Sequence, residues 1–131
     1  SETVTTRWQF REMFEKRSVS ICMFDISWVG GLSEAKKVST MAEAYNLPIA
    51  THDCVGPITL AFSIQLSLNA PNTIIQETVR AFNNTWYQEI VNKTPDINNG
   101  FAYATSEIGC GVTLSQSFID NKSTKKKYKS L

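Results

Sequence analysis

The stretch Ile49–Pro57 reads IATHDCVGP and joins a short apolar run, the chain's one histidine and a glycine–proline turn. The apolar run is suited to a buried strand that ends at His52. Pro57 follows Gly56 and favours the first turn of a helix, so the apolar segment 58–68 is predicted to be helical. A single histidine is more often structural than catalytic. A titratable group at the carboxyl end of a buried strand, however, is typical of active sites in α/β proteins.

Composition limits the class of protein. The chain has 131 residues, 42% of them apolar, which suits one domain with a real core. A net charge of +1 argues against a nucleic acid or an acidic membrane surface as partner. The three cysteines form no CxxC pair, no apolar run could span a membrane, and no signal peptide is evident. These features predict a cytoplasmic location and argue against a disulfide framework or zinc site.

Strand, turn and helix recur along the chain. This alternation predicts successive β/α units with a parallel sheet. The predicted strands are 21–24, 47–51 and 73–75, and the predicted helices are 7–16, 32–45, 58–68 and 86–91. Further on, Phe101–Ala104 and Val112–Leu114 are predicted to pair as short strands across the intervening glycines.

Polar residues recur at the predicted strand ends, roughly 25 residues apart, as expected for β/α units. They are Glu2, Asp25, His52 and Glu77. Since the carboxyl ends of parallel strands share one edge of the sheet, these residues are predicted to form an arc on one rim. Each also has a plainer interpretation: Asp25 could cap the next turn, Glu77 could be a surface residue, and Glu2 could belong to a disordered terminus.

Two partners for His52 are compatible with the sequence. Asp25 would fix the imidazole tautomer and make a general base that works near neutral pH. Cys54 would instead form a nucleophile–base couple with His52. No basic neighbour or helix N-terminus that could activate Cys54 is evident, so the Asp25–His52 pair is favoured.

A longer stretch carries a family resemblance. The segment FDISWVGGLSEAKKVSTMAEAYNLPIATHDCVGPITLA, followed by NTIIQE, resembles the mandelate racemase/muconate lactonizing branch of the enolase superfamily. Within that branch it is most similar to acid-sugar dehydratases of the galactonate type. The resemblance runs from Ser1 to about Leu114. It implies the C-terminal part of a (β/α)8 TIM-type barrel, from the end of the fifth strand through the eighth.

The resemblance also implies roles for individual residues. Asp25 and His52 match the dyad that removes the proton α to a substrate carboxylate, and Glu77 matches the glutamate that hydrogen-bonds the enediolate. Glu2 matches the third carboxylate ligand of Mg²⁺. Arg7 and Trp28 match positions near the substrate. The implied reaction eliminates the β-hydroxyl of a sugar acid to give a 2-keto-3-deoxy acid, catalysed by a lyase that forms a homo-oligomer.

The same comparison predicts what the chain lacks. The first two Mg²⁺ ligands, the acid that expels the hydroxyl and the capping domain would lie before Ser1, so the chain is predicted to be an inactive fragment. Residues 1–92 would form part of the barrel, 93–114 would pack on the capping domain, and 115–131 would be a disordered basic tail. Three alternatives remain open: a racemase or epimerase, a non-catalytic remnant that associates with another subunit, and a small doubly wound binding module with His52 in its pocket.

Overall fold

A computed structural model describes residues 1–121 and contains one sheet of three parallel strands. These are β1 (Cys22–Phe24), β2 (Ile49–Thr51) and β3 (Thr73–Gln76), and they neighbour each other in chain order. The β1–β2 register is regular, whereas the β2–β3 register shifts after the first pair. The predicted strands, their parallel direction and their sequential order are therefore confirmed.

Three long helices connect and cover the strands. They are α1 (Thr6–Glu15), α3 (Leu32–Ala44) and α4 (Pro57–Asn69), all within two residues of their predicted bounds. A main core joins α1, α3 and the first two strands around buried aromatic and aliphatic side chains. A second cluster places Leu60 and Ile64 of α4 against Tyr87. Because α4 is buried on two sides, its almost uniformly apolar sequence is explained.

Two four-residue helices were not predicted. Helix α2 (Ile26–Val29) follows β1 directly and ends at Gly30, whose φ of 117° suits only glycine well. Helix α5 (Arg80–Asn83) lies in the segment after β3. Four residues are too few to show a helical period, so the sequence pattern could not reveal either element. Helix α2 is nevertheless central to the site described below.

The C-terminal segment corrects one predicted strand pairing. Phe101–Ala102 (β5) pairs antiparallel with Ile97–Asn98 (β4) across a turn at Asn99–Gly100, not with Val112–Leu114. Leu114 instead forms a single bridge with Val91. The physical reason is local: an Asn-Gly pair closes a two-residue hairpin, which joins the segments directly beside it.

Two further helices complete the described segment. The predicted helix near residue 86 is α6 (Tyr87–Ile90). Gln116–Asp120 forms α7, a short helix within the predicted disordered tail. The lysines of that predicted tail lie outside the described residues. Within residues 1–121, no helix combines the length and apolarity needed to cross a membrane.

The two outer edges of the sheet differ. At β1, the Ser1 hydroxyl accepts a hydrogen bond from the Met23 N–H at 3.1 Å and donates one to the Met23 carbonyl. At β3, Ile74 and Ile75 are 58% and 63% exposed. The three strands therefore form an open sheet. Some backbone hydrogen-bonding groups of the β1 edge are satisfied, whereas the β3 edge presents apolar surface.

Candidate active site

The sheet itself brings three of the four predicted rim residues together, namely Asp25, His52 and Glu77. The His52 N–H donates to the Phe24 carbonyl at 2.9 Å, and the Glu77 N–H donates to the Thr51 carbonyl at 3.2 Å. These bonds extend the parallel ladders one residue past β2 and β3. As a result, the residues that follow β1, β2 and β3 lie side by side at the same edge, as their spacing predicted.

Asp25 contacts two parts of the site at once, helix α2 and His52. It is completely buried and caps α2, with Oδ1 accepting from the Ser27 N–H at 2.7 Å and the Trp28 N–H at 3.2 Å. Its other oxygen, Oδ2, lies 3.0 Å from His52 Nδ1. One carboxylate therefore caps α2 with Oδ1 and faces His52 with Oδ2, so the predicted cap is confirmed, and the predicted dyad, which stays a prediction, is compatible with this geometry.

The imidazole of His52 is held in one orientation. A carboxylate only accepts hydrogen bonds, so Nδ1 carries a proton toward Asp25, and in the neutral imidazole Nε2 then has the lone pair. Nε2 lies 3.9 Å from Oε2 of Glu77. The Trp28 ring covers the imidazole, with centroids 5.4 Å apart and planes 33° from parallel. With its side chain 15% exposed, His52 can present Nε2 to a ligand at the rim.

The Cys54 thiol also approaches His52, with Sγ 3.9 Å from Nδ1. Burial raises the pKa of Cys54, and the negative charges of Asp25, Asp53, Glu77 and Glu2 raise it further. An acidic rim thus keeps the thiol protonated, which disfavours a nucleophilic thiolate. In addition, Nδ1 already faces Asp25 at the shorter distance, so Asp25 is the better partner for His52.

Glu2 and Arg7 form their hydrogen bonds with residues outside the dyad. Glu2 Oε2 lies 3.0 Å from the Ser1 amino group, and this hydrogen bond lowers the pKa of Glu2. Arg7 binds Glu34 through both its backbone N–H (2.9 Å) and its guanidinium (2.5 Å). Glu2 still contributes charge to the rim, whereas Arg7 is engaged at the start of α3.

Asp53 is a rim residue that the sequence interpretation missed. It is completely buried, and Oδ2 accepts from the Val79 N–H at 2.9 Å while Oδ1 accepts from the Tyr87 hydroxyl at 2.8 Å. Its own N–H donates to Glu77 Oε2 at 2.9 Å. Burial raises the pKa of Asp53, although the Val79 and Tyr87 hydrogen bonds oppose this shift. The available signal was its position beside His52, but periodicity cannot say which of two adjacent polar residues is buried.

A magnesium ion would need more ligands than these residues provide. Mg²⁺ requires several oxygens in near-octahedral geometry. Within residues 1–121, no group of three or more histidine, cysteine or acidic side chains is arranged to hold a metal ion. Glu2 is the residue that the resemblance assigns to the metal, and one carboxylate does not make a magnesium site. The described residues therefore do not fit Mg²⁺ by themselves.

Comparison with known proteins gives consistent results. Residues 1–118 match the family described as "Enolase C-terminal domain-like". The chain is 31% identical over 113 residues to arabinonate dehydratase of Saccharolobus solfataricus, covering 86% of this chain and 30% of that protein. It is 31% identical over 123 residues to D-galactonate dehydratase of Variovorax paradoxus, covering 90% and 32%. The chain thus spans about a third of the length of these relatives.

Comparison with a solved structure also identifies the fold. An enolase of the mandelate racemase subgroup from Agrobacterium tumefaciens, described with a succinimide residue, sodium and phosphate, is 47% identical. It superposes with a TM-score of 0.85 over 91% of this chain and 32% of that one. The three-stranded sheet and its helices are therefore the C-terminal part of a (β/α)8 barrel. On this evidence the chain belongs to the enolase C-terminal domain-like family, in its mandelate racemase/muconate lactonizing branch.

Proposed function

We propose that this chain supplies the proton-abstracting side of an acid-sugar dehydratase active site. The observation that carries the proposal is the Asp25–His52 pair, 3.0 Å apart at the carboxyl ends of adjacent parallel strands. Asp25 leaves the His52 Nε2 lone pair free, as a general base requires. Nε2 would take the proton α to the carboxylate of a sugar acid, and loss of the β-hydroxyl would yield a 2-keto-3-deoxy acid.

Glu77 and Trp28 complete the proposed site. Glu77 Oε2 is 3.9 Å from His52 Nε2, with the side chain 41% exposed, so it can reach a substrate bound at the same nitrogen. Glu77 would hydrogen-bond the enediolate intermediate and so stabilise it. Trp28 covers one face of the imidazole and limits the approach of substrate to the opposite side. The assignment of Arg7 to substrate binding stays a prediction, since Arg7 is engaged with Glu34.

The chain alone is proposed to be inactive. The relatives named for arabinonate and galactonate dehydration are about three times its length. Glu2 is proposed as one ligand of a Mg²⁺ whose remaining ligands come from outside this chain. The complete protein is further proposed to act in the cytoplasm as a homo-oligomer.

The experiment that tests this proposal is complementation. The portion of the D-galactonate dehydratase of Variovorax paradoxus that precedes its aligned region is joined to this chain. The chimera and the isolated chain are assayed with Mg²⁺ on galactonate and arabinonate, and 2-keto-3-deoxy acid is measured. We expect turnover by the chimera alone. His52→Asn should reduce it by about 10²- to 10⁴-fold, the usual contribution of a general base.

A matched control uses Glu12→Gln, which alters an exposed ion pair with Lys16 on α1 and should leave turnover unchanged. Turnover that survives His52→Asn, or turnover by the isolated chain, would contradict the proposal. The racemase alternative gives a different signal in D₂O. It would incorporate deuterium at the α carbon without forming the keto acid.

A further inference from the structure

A buried carboxylate next to the dyad has no role in the proposed proton transfer. Asp53 is completely buried behind the rim and its oxygens face the Val79 N–H and the Tyr87 hydroxyl. Tyr87 is itself completely buried between α4 and the C-terminal segment. A buried charged group costs more free energy than an apolar side chain of similar size. The free-energy cost of burying Asp53 indicates that its hydrogen bonds serve to position neighbouring residues.

Glu77 has less structural support than the other rim residues. It follows β3, the outer strand whose Ile74 and Ile75 side chains are exposed, and its own side chain is 41% exposed. Its carboxylate accepts a hydrogen bond from the Asp53 N–H at 2.9 Å. Two residues later, the Val79 N–H donates to Asp53 Oδ2 at 2.9 Å. The backbone N–H of Asp53 therefore binds the Glu77 carboxylate. The Asp53 side chain binds the backbone at Val79, two residues after Glu77.

We propose that Asp53, held by Tyr87, is a positioning residue that keeps the Glu77 carboxylate against His52. The inference rests on the proposed function, because it assumes that Glu77 acts together with His52. Tyr87 donates to Asp53 Oδ1 at 2.8 Å and so directs Oδ2 toward Val79. The other hydrogen bonds of Glu77, from its N–H to the Thr51 carbonyl and to its carbonyl from the Gln76 amide, hold its main chain and leave the carboxylate 3.9 Å from Nε2 without this brace. A displacement of about 1 Å in a reacting group can cost on the order of 100-fold in rate.

The variants are made in the full-length natural protein that contains these residues, because kcat is to be measured. Asp53→Asn can keep both contacts, since its Oδ1 can accept from Val79 and its amide can donate to the Tyr87 oxygen. Asp53→Ala removes both contacts, and Tyr87→Phe removes one. We expect Asp53→Ala to lower kcat by roughly 10- to 100-fold with KM changed less than about threefold. Tyr87→Phe should lower kcat less, and Asp53→Asn should restore it. Tyr103→Phe, a hydroxyl removed elsewhere, is the control.

A second readout does not depend on activity. The Asp53 amide proton donates to a carboxylate, so its chemical shift in an NMR spectrum should move when Glu77→Gln removes the charge. In Tyr87→Phe and Asp53→Ala we expect the residue-53 amide to have lost this dependence on Glu77, and in Asp53→Asn to have kept it. A dependence on Glu77 that persists in Asp53→Ala would overturn the inference, as would an unchanged kcat in an active protein.

The two proposals fail in distinguishable ways. If no sugar acid is turned over, the proposed function fails, while the amide readout still decides whether Asp53 positions Glu77. If turnover depends on His52 but neither Asp53→Ala nor Tyr87→Phe alters kcat, the positioning inference fails and the proposed function stands. A loss of kcat in Asp53→Ala that Asp53→Asn does not restore would also count against positioning by hydrogen bonds.

Discussion

The two carboxylates beside His52 are held in very different ways. Asp25 is completely buried and has three hydrogen-bonding neighbours, two of them backbone N–H groups of α2. Glu77 is 41% exposed at the end of an outer strand, and its carboxylate accepts one backbone hydrogen bond, from Asp53. The difference follows from the sheet, since β1 and β2 lie over the main core whereas β3 faces outward.

The contrast separates two functions of the rim. On the Asp25 side, packing and capping fix the orientation of His52 before any ligand arrives, which is the rigid support that the proposed acid–base chemistry would need. On the Glu77 side, the carboxylate remains accessible to a substrate and is placed by hydrogen bonds from a neighbouring strand end. If stability and chemistry divide along the same line, changes on the two sides of the rim should have different effects.

The largest effect should come from removing core packing under the Asp25 side. Phe24→Ala deletes a completely buried ring that packs edge-on against Phe10, and should lower the free energy of unfolding by about 3–5 kcal/mol. Ile75→Ala on the exposed β3 edge should cost less than about 1 kcal/mol. Urea unfolding of both variants measures the difference. Equal losses would show that the two sides are not distinct.

A smaller effect should separate the two functions of Asp25. Asp25→Ala removes the α2 cap and should cost about 0.5–2 kcal/mol of stability, whereas Asp25→Asn retains an Oδ1 for the cap and should cost less. The asparagine would present an N–H donor to His52 Nδ1 and so move the ring proton to Nε2. Because His52 is the one histidine, ¹⁵N NMR of its ring reports the tautomer without assignment ambiguity. An unchanged tautomer in Asp25→Asn would contradict the dyad geometry.

The smallest of these effects concerns pH and Asp53. Burial raises the pKa of Asp53 in the folded protein above its usual value of 3.8. As pH increases past that value, the unfolded chain loses this proton first, so the folded state binds more protons and stability falls through the raised folded pKa. In Asp53→Asn this decrease should be absent. Unfolding free energies measured across mildly acidic pH for both proteins test the sign, and a steeper decrease in the variant would contradict it.

Much of this site could be predicted from one regular spacing. Short apolar runs ending in polar residues placed Asp25, His52 and Glu77 at neighbouring strand ends, because parallel β/α units repeat at a nearly constant length. Periodicity also located α1, α3 and α4, since each is long enough to show an apolar face. Features that depend on a local sequence pattern could therefore be predicted.

The missed features depend on contacts between distant residues. Asp53 is explained by Val79 and Tyr87, which lie 26 and 34 positions further along the chain. The engagement of Arg7 by Glu34 depends on how α1 packs against α3. Helix α2 was not predicted for a different reason, because its four residues are too few to show a helical period. Its start was nonetheless visible as an Asp followed by a short apolar segment and Gly30-Gly31.

The double use of Asp25 has a mechanical consequence. One carboxylate is shared between a four-residue helix and His52, so unwinding of α2 would remove the two backbone hydrogen bonds that help to orient Oδ2 toward the imidazole. Trp28, on the same helix, would leave the ring face at the same moment. The proposed proton abstraction at His52 would then depend on the folded state of α2. A local unfolding event in this one turn would disturb the proposed base while leaving the sheet intact.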